Sequence, residues 1–176
     1  PTPPDPVDPT NTTAADFNTF NNGAATNSYG SYTSADGWNT TWCAIAQGGG
    51  DNINSMIFPF LGSAETFGVV IDGSIKRPGK LESPLLSNGC KTLYFKYGFA
   101  FTETKVQFTV NVKQNGAVKA TKTVTVNPVE KGKGFDFSMD VNVTGNFTIE
   151  IVNDILSQST SNNKDRVCVW DLKWTR

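Results

Sequence analysis

The chain contains no histidine, and this absence narrows the chemistry open to it. Histidine is the side chain most often used for proton transfer near neutral pH, and it is a common ligand of catalytic zinc. An enzyme built from these 176 residues would therefore depend on carboxylates, serine, cysteine, lysine or tyrosine. A nucleophile of the cysteine–histidine type is excluded.

Cysteine is scarce as well, with three isolated residues at Cys43, Cys90 and Cys168. None is part of a CxxC pair, so the usual zinc and redox motifs are missing. The odd number means that at least one thiol is free or pairs with another chain. We expect buried, unpaired thiols, and a single disulfide between Cys43 and Cys90 is the alternative.

Charge is sparse and balanced, with 15 Lys and Arg residues against 16 Asp and Glu residues. This balance excludes the basic surface of a nucleic-acid binder and a polybasic membrane anchor. The longest apolar runs are strand-sized, so membrane insertion is not predicted. The sequence starts at Pro1 without an initiator methionine or a charged leader, which indicates an excised piece whose signal peptide, if the parent has one, lies outside it.

Proline is concentrated at the start of the chain, in the segment PTPPDPVDPTNTTAA. Proline fixes φ and disfavours helix at the preceding residue, and the segment has no large apolar side chain to bury. We therefore predict a semi-rigid spacer over residues 1–15 and a folded domain over residues 16–176. A disordered chain end is the other interpretation of the first segment.

Apolar and polar residues alternate at a period of two through most of the domain. In KVQFTVNV the apolar side chains fall on one face and the polar side chains on the other, which is typical of a half-buried strand. The same alternation recurs in TLYFKYGFAF, FDFSMDVNV, NFTIEIV, KTVTVN and RVCVWDLKW. The turn pairs are Asn115-Gly116, which predicts a two-residue hairpin, together with Asp72-Gly73, Asn88-Gly89 and Gly145-Asn146.

About nine or ten such strands, with no segment of helical periodicity, predict an all-β fold. Each sheet must bury its apolar face, so we expect an antiparallel β-sandwich of two sheets with jelly-roll topology. A closed barrel is the alternative, disfavoured by irregular loops such as residues 47–54 and 157–164.

Catalytic motifs are almost absent from the sequence. There is no GxSxG elbow, phosphate loop or HExxH motif. Asp136 and Asp140 share a strand face with Ser138 between them, which is typical of a solvated surface rather than of a glycosidase acid pair. We predict a protein that is not an enzyme, with a jelly-roll glycosidase using these two aspartates as a weaker hypothesis.

Aromatic side chains are the best candidates for ligand contacts. A flat ring can stack on the apolar C–H patch of a sugar. In GWNTTWCAI, a continuous strand would place Trp38 and Trp42 on one side, about 13 Å apart, which suits an elongated ligand. The alternative is that one or both of these indoles belong to the core.

Polar side chains of the KVQFTVNVK segment are the second set of candidates. Gln107, Asn111 and Lys113 fall on its polar face, where amide and ammonium groups could bind sugar hydroxyls. Tyr94 and Lys96 of the preceding strand are predicted to join them. An ordinary solvated face is the competing interpretation.

The last strand carries two further tryptophans that we expect to be structural. A continuous strand places Cys168, Trp170, Leu172 and Trp174 on one face. Because cysteine and leucine share that face, it is predicted to belong to the core.

A structural calcium ion is a further candidate, because sandwich modules often hold one where the chain ends meet. Asp171, beside the last strand, and Asp16, beside the first, are the carboxylates placed for it. A plain surface carboxylate or a turn-capping aspartate is the alternative. No other cofactor is predicted.

The order of strands and turns from residue 16 to residue 175 resembles that of jelly-roll carbohydrate-binding modules of secreted, multimodular glycoside hydrolases from gut and rumen Bacteroidetes. The segments that carry the resemblance are DFNTF, ADGW, KLESPLL, CKTLYFKYGF, VQFTVNVKQNG, DVNVTGNFTIEI and SNNKDRVCVWDLKW. The KDRV ending resembles a structural signature of the last strand. Many jelly rolls have an Asp-Asp pair at the position of Trp170-Asp171.

The resemblance implies a non-catalytic module that directs a covalently linked glycoside hydrolase to plant polysaccharide, of the β-glucan, xyloglucan, mannan or xylan type. It implies an extracellular or bacterial cell-surface location. Related jelly rolls also occur as adhesins, so a surface adhesin or a structural spacer without a sugar ligand is the alternative.

Overall fold

The computed structural model describes residues 11–20, 29–47, 52–53, 56–57, 61, 66–74, 77–98, 106–126, 133–154 and 165–176. Most of the predicted spacer and two apolar positions of the TLYFKYGFAF segment, Phe99 and Phe101, lie outside these residues. Among the described residues no helix has the length and the apolar character needed to cross a bilayer.

Strands make up almost all of the regular structure. One turn of 3-10 helix, Phe17–Phe20, follows the first strand. The strands are β1 Thr12–Ala14, β2 Asn39–Thr41, β3 Cys43–Gln47, β4 Asn52–Ile53, β5 Met56–Ile57, β6 Phe67–Ser74, β7 Arg77–Pro78, β8 Lys80–Glu82, β9 Cys90–Gly98, β10 Val106–Gln114, β11 Ala117–Val126, β12 Gly134–Val143, β13 Thr148–Asp154 and β14 Asp165–Thr175.

The strands form two large antiparallel sheets. The seven-stranded sheet has the order β12-β9-β14-β6-β3, with β1 beside β14 and β7 beside β6. The five-stranded sheet has the order β11-β10-β13-β8-β2, and β4 pairs with β5 separately. The predicted all-β, two-sheet antiparallel sandwich is confirmed.

The main core lies between the two large sheets and follows the alternation in the sequence. Apolar side chains at every second position of β10, β12 and β13 point inward and are buried. They include Phe108, Val110, Val112, Phe137, Met139, Val141, Ile149 and Ile151. The predicted inward faces of these strands are therefore confirmed at the described positions.

The last strand departs from simple alternation. Asp171 has a positive φ of 53°, and the pairing of β14 with β9 shifts register between Trp170 and Lys173. The bulge inserts one extra residue, so the residues after it have the opposite inward and outward order from those before it. Val169 and Trp174 therefore reach the main core, whereas Trp170 belongs to a second cluster on the outer side of the sheet. The expectation that Cys168, Trp170, Leu172 and Trp174 share one face is wrong, although both indoles are buried as predicted.

The second cluster covers the outer side of β3, β6 and β14. Its buried members are Ala44, Ala46, Leu61, Val70, Cys168 and Trp170, with Tyr29 packed against them. Beside it, Arg166 Nε lies 3.4 Å from Asp72 Oδ1, and the two side chains are only 7% and 1% exposed. The Arg166 guanidinium also lies 4.5 Å from the centre of the Tyr29 ring. The outer side of β3, β6 and β14 thus forms a small core with an ion pair beside it.

The folded domain starts earlier than residue 16. Thr12, Thr13 and Ala14 pair with Thr175, Trp174 and Lys173 as strand β1. The backbone N–H of Arg176 also donates to the carbonyl oxygen of Asn11 at 3.1 Å. The predicted boundary at residue 15 is therefore too late, because a strand of three residues carries too little pattern to separate it from a spacer.

The strongest turn prediction is confirmed and another is corrected. Asn115 and Gly116 join β10 to β11 with φ of 51° and 79°, as a two-residue hairpin turn requires. Asp72 and Gly73, predicted as a reversal, lie inside β6. In that strand the Asp72 carboxylate forms an ion pair with Arg166.

All three cysteines are buried and free, which confirms the predicted state and excludes the Cys43–Cys90 alternative in this structure. Burial raises the pKa of the Cys90 thiol to about 12 and raises the pKa of Cys43 and Cys168 as well. The thiols therefore stay protonated and unreactive near neutral pH.

We expect the folded protein to resist alkylation by iodoacetamide at pH 8, because the reagent cannot reach the buried sulfur atoms and the thiols are not ionised. After unfolding in urea, all three cysteines should react. Intact-mass spectrometry of samples taken over time measures both states. Prompt modification of the folded protein at one site would contradict the burial of that thiol.

Candidate functional site

Trp38 lies in the main core and not on a ligand surface. Its side chain is 2% exposed. Its ring meets Phe17 edge to face at 5.6 Å between centroids and lies 6.5 Å from Trp174. The predicted contact between Trp38 and a sugar is therefore wrong, because the indole is enclosed by other aromatic rings.

Trp42 occupies a corner of the fold. It has a φ of 56° and separates β2, in the five-stranded sheet, from β3, in the seven-stranded sheet. This left-handed residue interrupts the alternation, so Trp38 and Trp42 do not form one platform. The Trp42 ring is half-buried, and the residue before it, Thr41, is exposed. Trp42 is thus the tryptophan that remains a candidate for contact with a ligand.

The outer side of the five-stranded sheet is mostly polar, with Val152 of β13 and Val118 of β11 as apolar exceptions. We call the following outward polar side chains the polar face: Asn39, Thr41, Lys80, Glu82, Gln107, Thr109, Asn111, Lys113, Thr121, Thr123, Thr125 and Glu150. Three of the predicted ligand residues, Gln107, Asn111 and Lys113, belong to it. They lie on β10, and their inward neighbours Phe108, Val110 and Val112 anchor the strand in the core.

Side chains on the polar face bind one another across the strands. Asn111 Nδ2 donates to Glu150 Oε1 at 3.1 Å, and the Thr121 hydroxyl donates to Asn111 Oδ1 at 2.8 Å. The Thr125 hydroxyl donates to Gln107 Oε1 at 3.1 Å. These bonds hold two planar amide groups in fixed orientations.

One row of the polar face crosses the whole sheet. The pairing register places Asn39 opposite Glu82, Glu82 opposite Glu150, Glu150 opposite Asn111 and Asn111 opposite Thr121. We call these five residues the central row. With strands about 4.8 Å apart, the row is about 19 Å long.

The two carboxylates of the central row are each matched by a lysine. Lys113 Nζ lies 3.1 Å from Glu150 Oε2, and Lys80 Nζ lies 3.1 Å from Glu82 Oε1. Charge on the polar face is therefore balanced locally. Because the two glutamates sit on neighbouring strands, these lysines also offset the repulsion that like charges in register produce.

Sequence reasoning did not identify the two glutamates of the central row. Glu150 belongs to β13 and Glu82 to β8, whereas Gln107, Asn111 and Lys113 all belong to β10. The available signal was the alternation in NFTIEIV, which puts Glu150 on the polar side of its strand. Which strands lie beside β10 was the missing information.

Tyr94 lies on the other sheet. Its strand, β9, pairs with β12 and β14, whereas β10 pairs with β11 and β13. The Tyr94 ring is half-buried on the outer side of the seven-stranded sheet. The prediction that Tyr94 and Lys96 share a surface with Gln107 is therefore wrong, because consecutive strands here belong to opposite layers of the sandwich.

The aspartates considered for glycoside hydrolysis lie on the same outer side as Tyr94. Asp136 and Asp140 are exposed, with Lys96 and Thr92 as their register partners on β9. The Thr92 hydroxyl lies 3.4 Å from Asp140 Oδ1. This arrangement is that of a solvated strand face.

Around Asp171, the described residues include no group of three His, Cys, Asp or Glu side chains that could hold a metal ion. Asp171 Oδ2 lies 3.7 Å from Lys173 Nζ. The carboxylate of Asp16 is engaged elsewhere, since its Oδ1 accepts the backbone N–H of Asn18 at 3.1 Å. The calcium role of Asp171 stays an untested prediction.

Solved structures of other β-sandwich domains are similar to this chain. The K2 cleaved adhesin domain of Lys-gingipain superposes with a TM-score of 0.56 at 12% identity, covering 95% of this chain and 99% of that one. The module TmCBM61, in complex with β-1,4-galactotriose, gives a TM-score of 0.49 at 14% identity and covers 79% of this chain and 88% of that one. A family 6 carbohydrate-binding module gives 0.45 at 13% identity, covering 84% and 86%.

No protein-family profile matches the chain, and no curated protein does. At identities of 12–14% these likenesses concern the fold. Carbohydrate-binding modules and domains of glycoside hydrolases are among the similar structures. The likeness to the adhesin domain, with its TM-score of 0.56, supports a shared β-sandwich architecture.

Proposed function

We propose that this domain is a non-catalytic carbohydrate-binding module that holds a neutral polysaccharide on its polar face. The observation that supports the proposal is the central row, in which amide, carboxylate and hydroxyl groups follow one another across five strands. A glycan presents hydroxyl groups at regular intervals, and each can both donate and accept a hydrogen bond. A row that offers both donors and acceptors, with two amides, two carboxylates and a hydroxyl group, can bind several hydroxyls of such a chain.

The fixed geometry of the row favours binding. Asn111 is held by Glu150 on one side and by Thr121 on the other, so little side-chain entropy is left to lose when a ligand arrives. The local balance of two lysines and two glutamates favours an uncharged ligand over a charged one. A length of about 19 Å suits an extended oligosaccharide rather than a single sugar.

Trp42 completes the proposed site from its edge. Thr41 pairs with Lys80 in the neighbouring row, and Trp42 follows it directly in the chain. A sugar that lies along this edge can stack on the half-buried indole while its hydroxyls reach the polar side chains. Tyr94 is the ring available on the opposite sheet and is not part of this site.

The biological role that we propose is targeting. Tethering a linked glycoside hydrolase to plant polysaccharide, of the β-glucan, xyloglucan, mannan or xylan type, raises the local concentration of enzyme at its substrate. The Pro/Thr-rich spacer suits such a tether, and the location would be extracellular or at a bacterial cell surface. A surface adhesin or a spacer domain without a sugar ligand is the alternative.

Affinity electrophoresis in gels containing xyloglucan, xylan, mannan or β-glucan tests the proposal. We expect one of these polysaccharides to slow the wild-type protein. Asn111→Ala removes hydrogen bonds at the centre of the row and should weaken binding about tenfold. Ser138→Ala, at an exposed position on the outer side of the other sheet, keeps the net charge, is the matched control and should migrate like the wild type.

Three other results would change the conclusion. Unchanged mobility in every gel would support the adhesin or spacer alternative. Equal retardation of wild type and Asn111→Ala would show that the protein binds sugar at a site other than the polar face. Release of reducing sugar, abolished in Asp136→Asn or Asp140→Asn, would show a glycosidase instead.

A further inference from the structure

Two adjoining clefts lie at one end of the sandwich. The larger has a volume of about 620 Å³ and the smaller about 410 Å³. Ser87, Asn88 and Arg176 line both of them. The other residues of the larger cleft are Gly89, Cys90, Lys91, Asn142, Val143, Thr144, Gly145 and Asn146. We call this larger cavity the end cleft. Its size lies within the range of small-molecule sites.

The charged side chains among the described residues that line the end cleft are Lys91 and Arg176, both cationic. Asp36 lines the smaller cavity. The protein as a whole has a net charge of −1, so this pair of cations is a local feature. Two cations in one concavity attract an anionic group.

The remaining polar groups of the end cleft are suited to hydroxyls. Asn88, Asn142 and Asn146 contribute amides, and Ser87 and Thr144 contribute hydroxyl groups. Amides donate and accept, so they can bind neighbouring hydroxyls of one sugar ring. Phosphate or sulfate alone would use the cations and leave most of these groups without a role.

The walls of the end cleft are held in place. Gly89 N–H donates to the carbonyl oxygen of Gly145 at 2.9 Å, which ties the two loops together. Gln114 Nε2 donates to the carbonyl oxygens of Thr144 at 2.6 Å and Asn146 at 3.1 Å. Arg176 Nη2 lies 3.4 Å from the hydroxyl oxygen of Thr13. A cavity shaped in advance loses little entropy on binding.

We infer that the end cleft binds an acidic sugar residue, a uronic acid unit, with its carboxylate at Lys91 and Arg176 and its hydroxyls at the asparagine amides. The inference rests on the proposed function for the class of ligand, but it concerns a second site with a different charge preference. A polysaccharide containing both neutral and uronic acid sugars would then occupy two sites on one domain.

Isothermal titration with trigalacturonic acid tests the inference, using the full chain at low ionic strength. We expect binding that weakens as salt is added, because the attraction is between charges. Arg176→Gln and Lys91→Gln should each weaken it at least fivefold. Lys119→Gln, an exposed lysine on β11, is the control and should bind like the wild type.

The possible results distinguish binding at the end cleft from binding at the polar face. Trigalacturonic acid that fails to bind, while neutral polysaccharide still retards the protein, overturns the uronate site alone. If Arg176→Gln loses uronate binding, the end cleft is supported as the uronate site. If neutral polysaccharides also fail to retard the wild-type protein, the polar face is rejected as a binding site. Inorganic phosphate that binds as tightly as the trisaccharide would show a general anion site and contradict sugar recognition. Equal binding of trigalacturonic acid by wild type, Arg176→Gln and Lys91→Gln would also overturn the assignment.

Discussion

Replacing Trp38 with alanine is expected to lower the free energy of unfolding by about 3–5 kcal/mol, the range for removing a buried tryptophan. The indole is 2% exposed and fills the space between Phe17 and Trp174. Its loss removes buried apolar surface and the edge-to-face contact, and leaves a cavity that the surrounding strands can only partly close. Urea denaturation followed by circular dichroism measures the change.

Two variants make the result for Trp38 specific. Trp38→Phe keeps a ring in the cavity and should lose less than half as much stability. Trp42→Ala removes a half-buried indole and should also cost less than Trp38→Ala. A loss of stability below about 1 kcal/mol for Trp38→Ala would contradict the placement of this ring in the core.

Neutralising Asp72 is the second change expected to have a large effect. Asp72→Asn should lower the free energy of unfolding by about 3–5 kcal/mol, because it removes the negative charge from a buried ion pair. Arg166 is 6% exposed and Asp72 1% exposed. The ring of Tyr29 beside the guanidinium offers only a weak substitute for a carboxylate.

A double-mutant cycle distinguishes the ion pair from the loss of a polar side chain. Arg166→Met alone should also destabilise the fold, because it leaves the Asp72 carboxylate buried. Combining Asp72→Asn with Arg166→Met removes both charges and should recover part of the lost stability. Strictly additive losses in the cycle would show that the two side chains do not depend on each other.

Local periodicity was sufficient to predict the sandwich. Apolar residues alternate with polar ones through most of β10 and the first half of β13, and Phe108 and Ile149 are buried as that pattern requires. The pattern fails at left-handed residues. Nothing in the neighbouring sequence shows that Trp42 and Asp171 adopt positive φ, and each reverses the inward and outward order of the residues around it.

The candidate site was predictable only in part, because periodicity specifies a face of a strand and not the neighbours of that strand. Gln107, Asn111 and Lys113 were placed correctly on one face. Their partner Glu150 comes from a strand that is adjacent in space only after the sheet has formed. Tyr94 was misplaced for the same reason, because its strand crosses to the other layer.

The pairing of β1 with β14 has a mechanical consequence. The strands are antiparallel, so Asn11 and Arg176 lie side by side at one end of the domain. A pulling force applied between these two residues would load the ladder one hydrogen bond at a time, as a zipper opens, instead of shearing all of its bonds together. Strand β1 would peel away at low force while the rest of the sandwich stays intact. The domain would thus give extra length to a stretched tether before it unfolds.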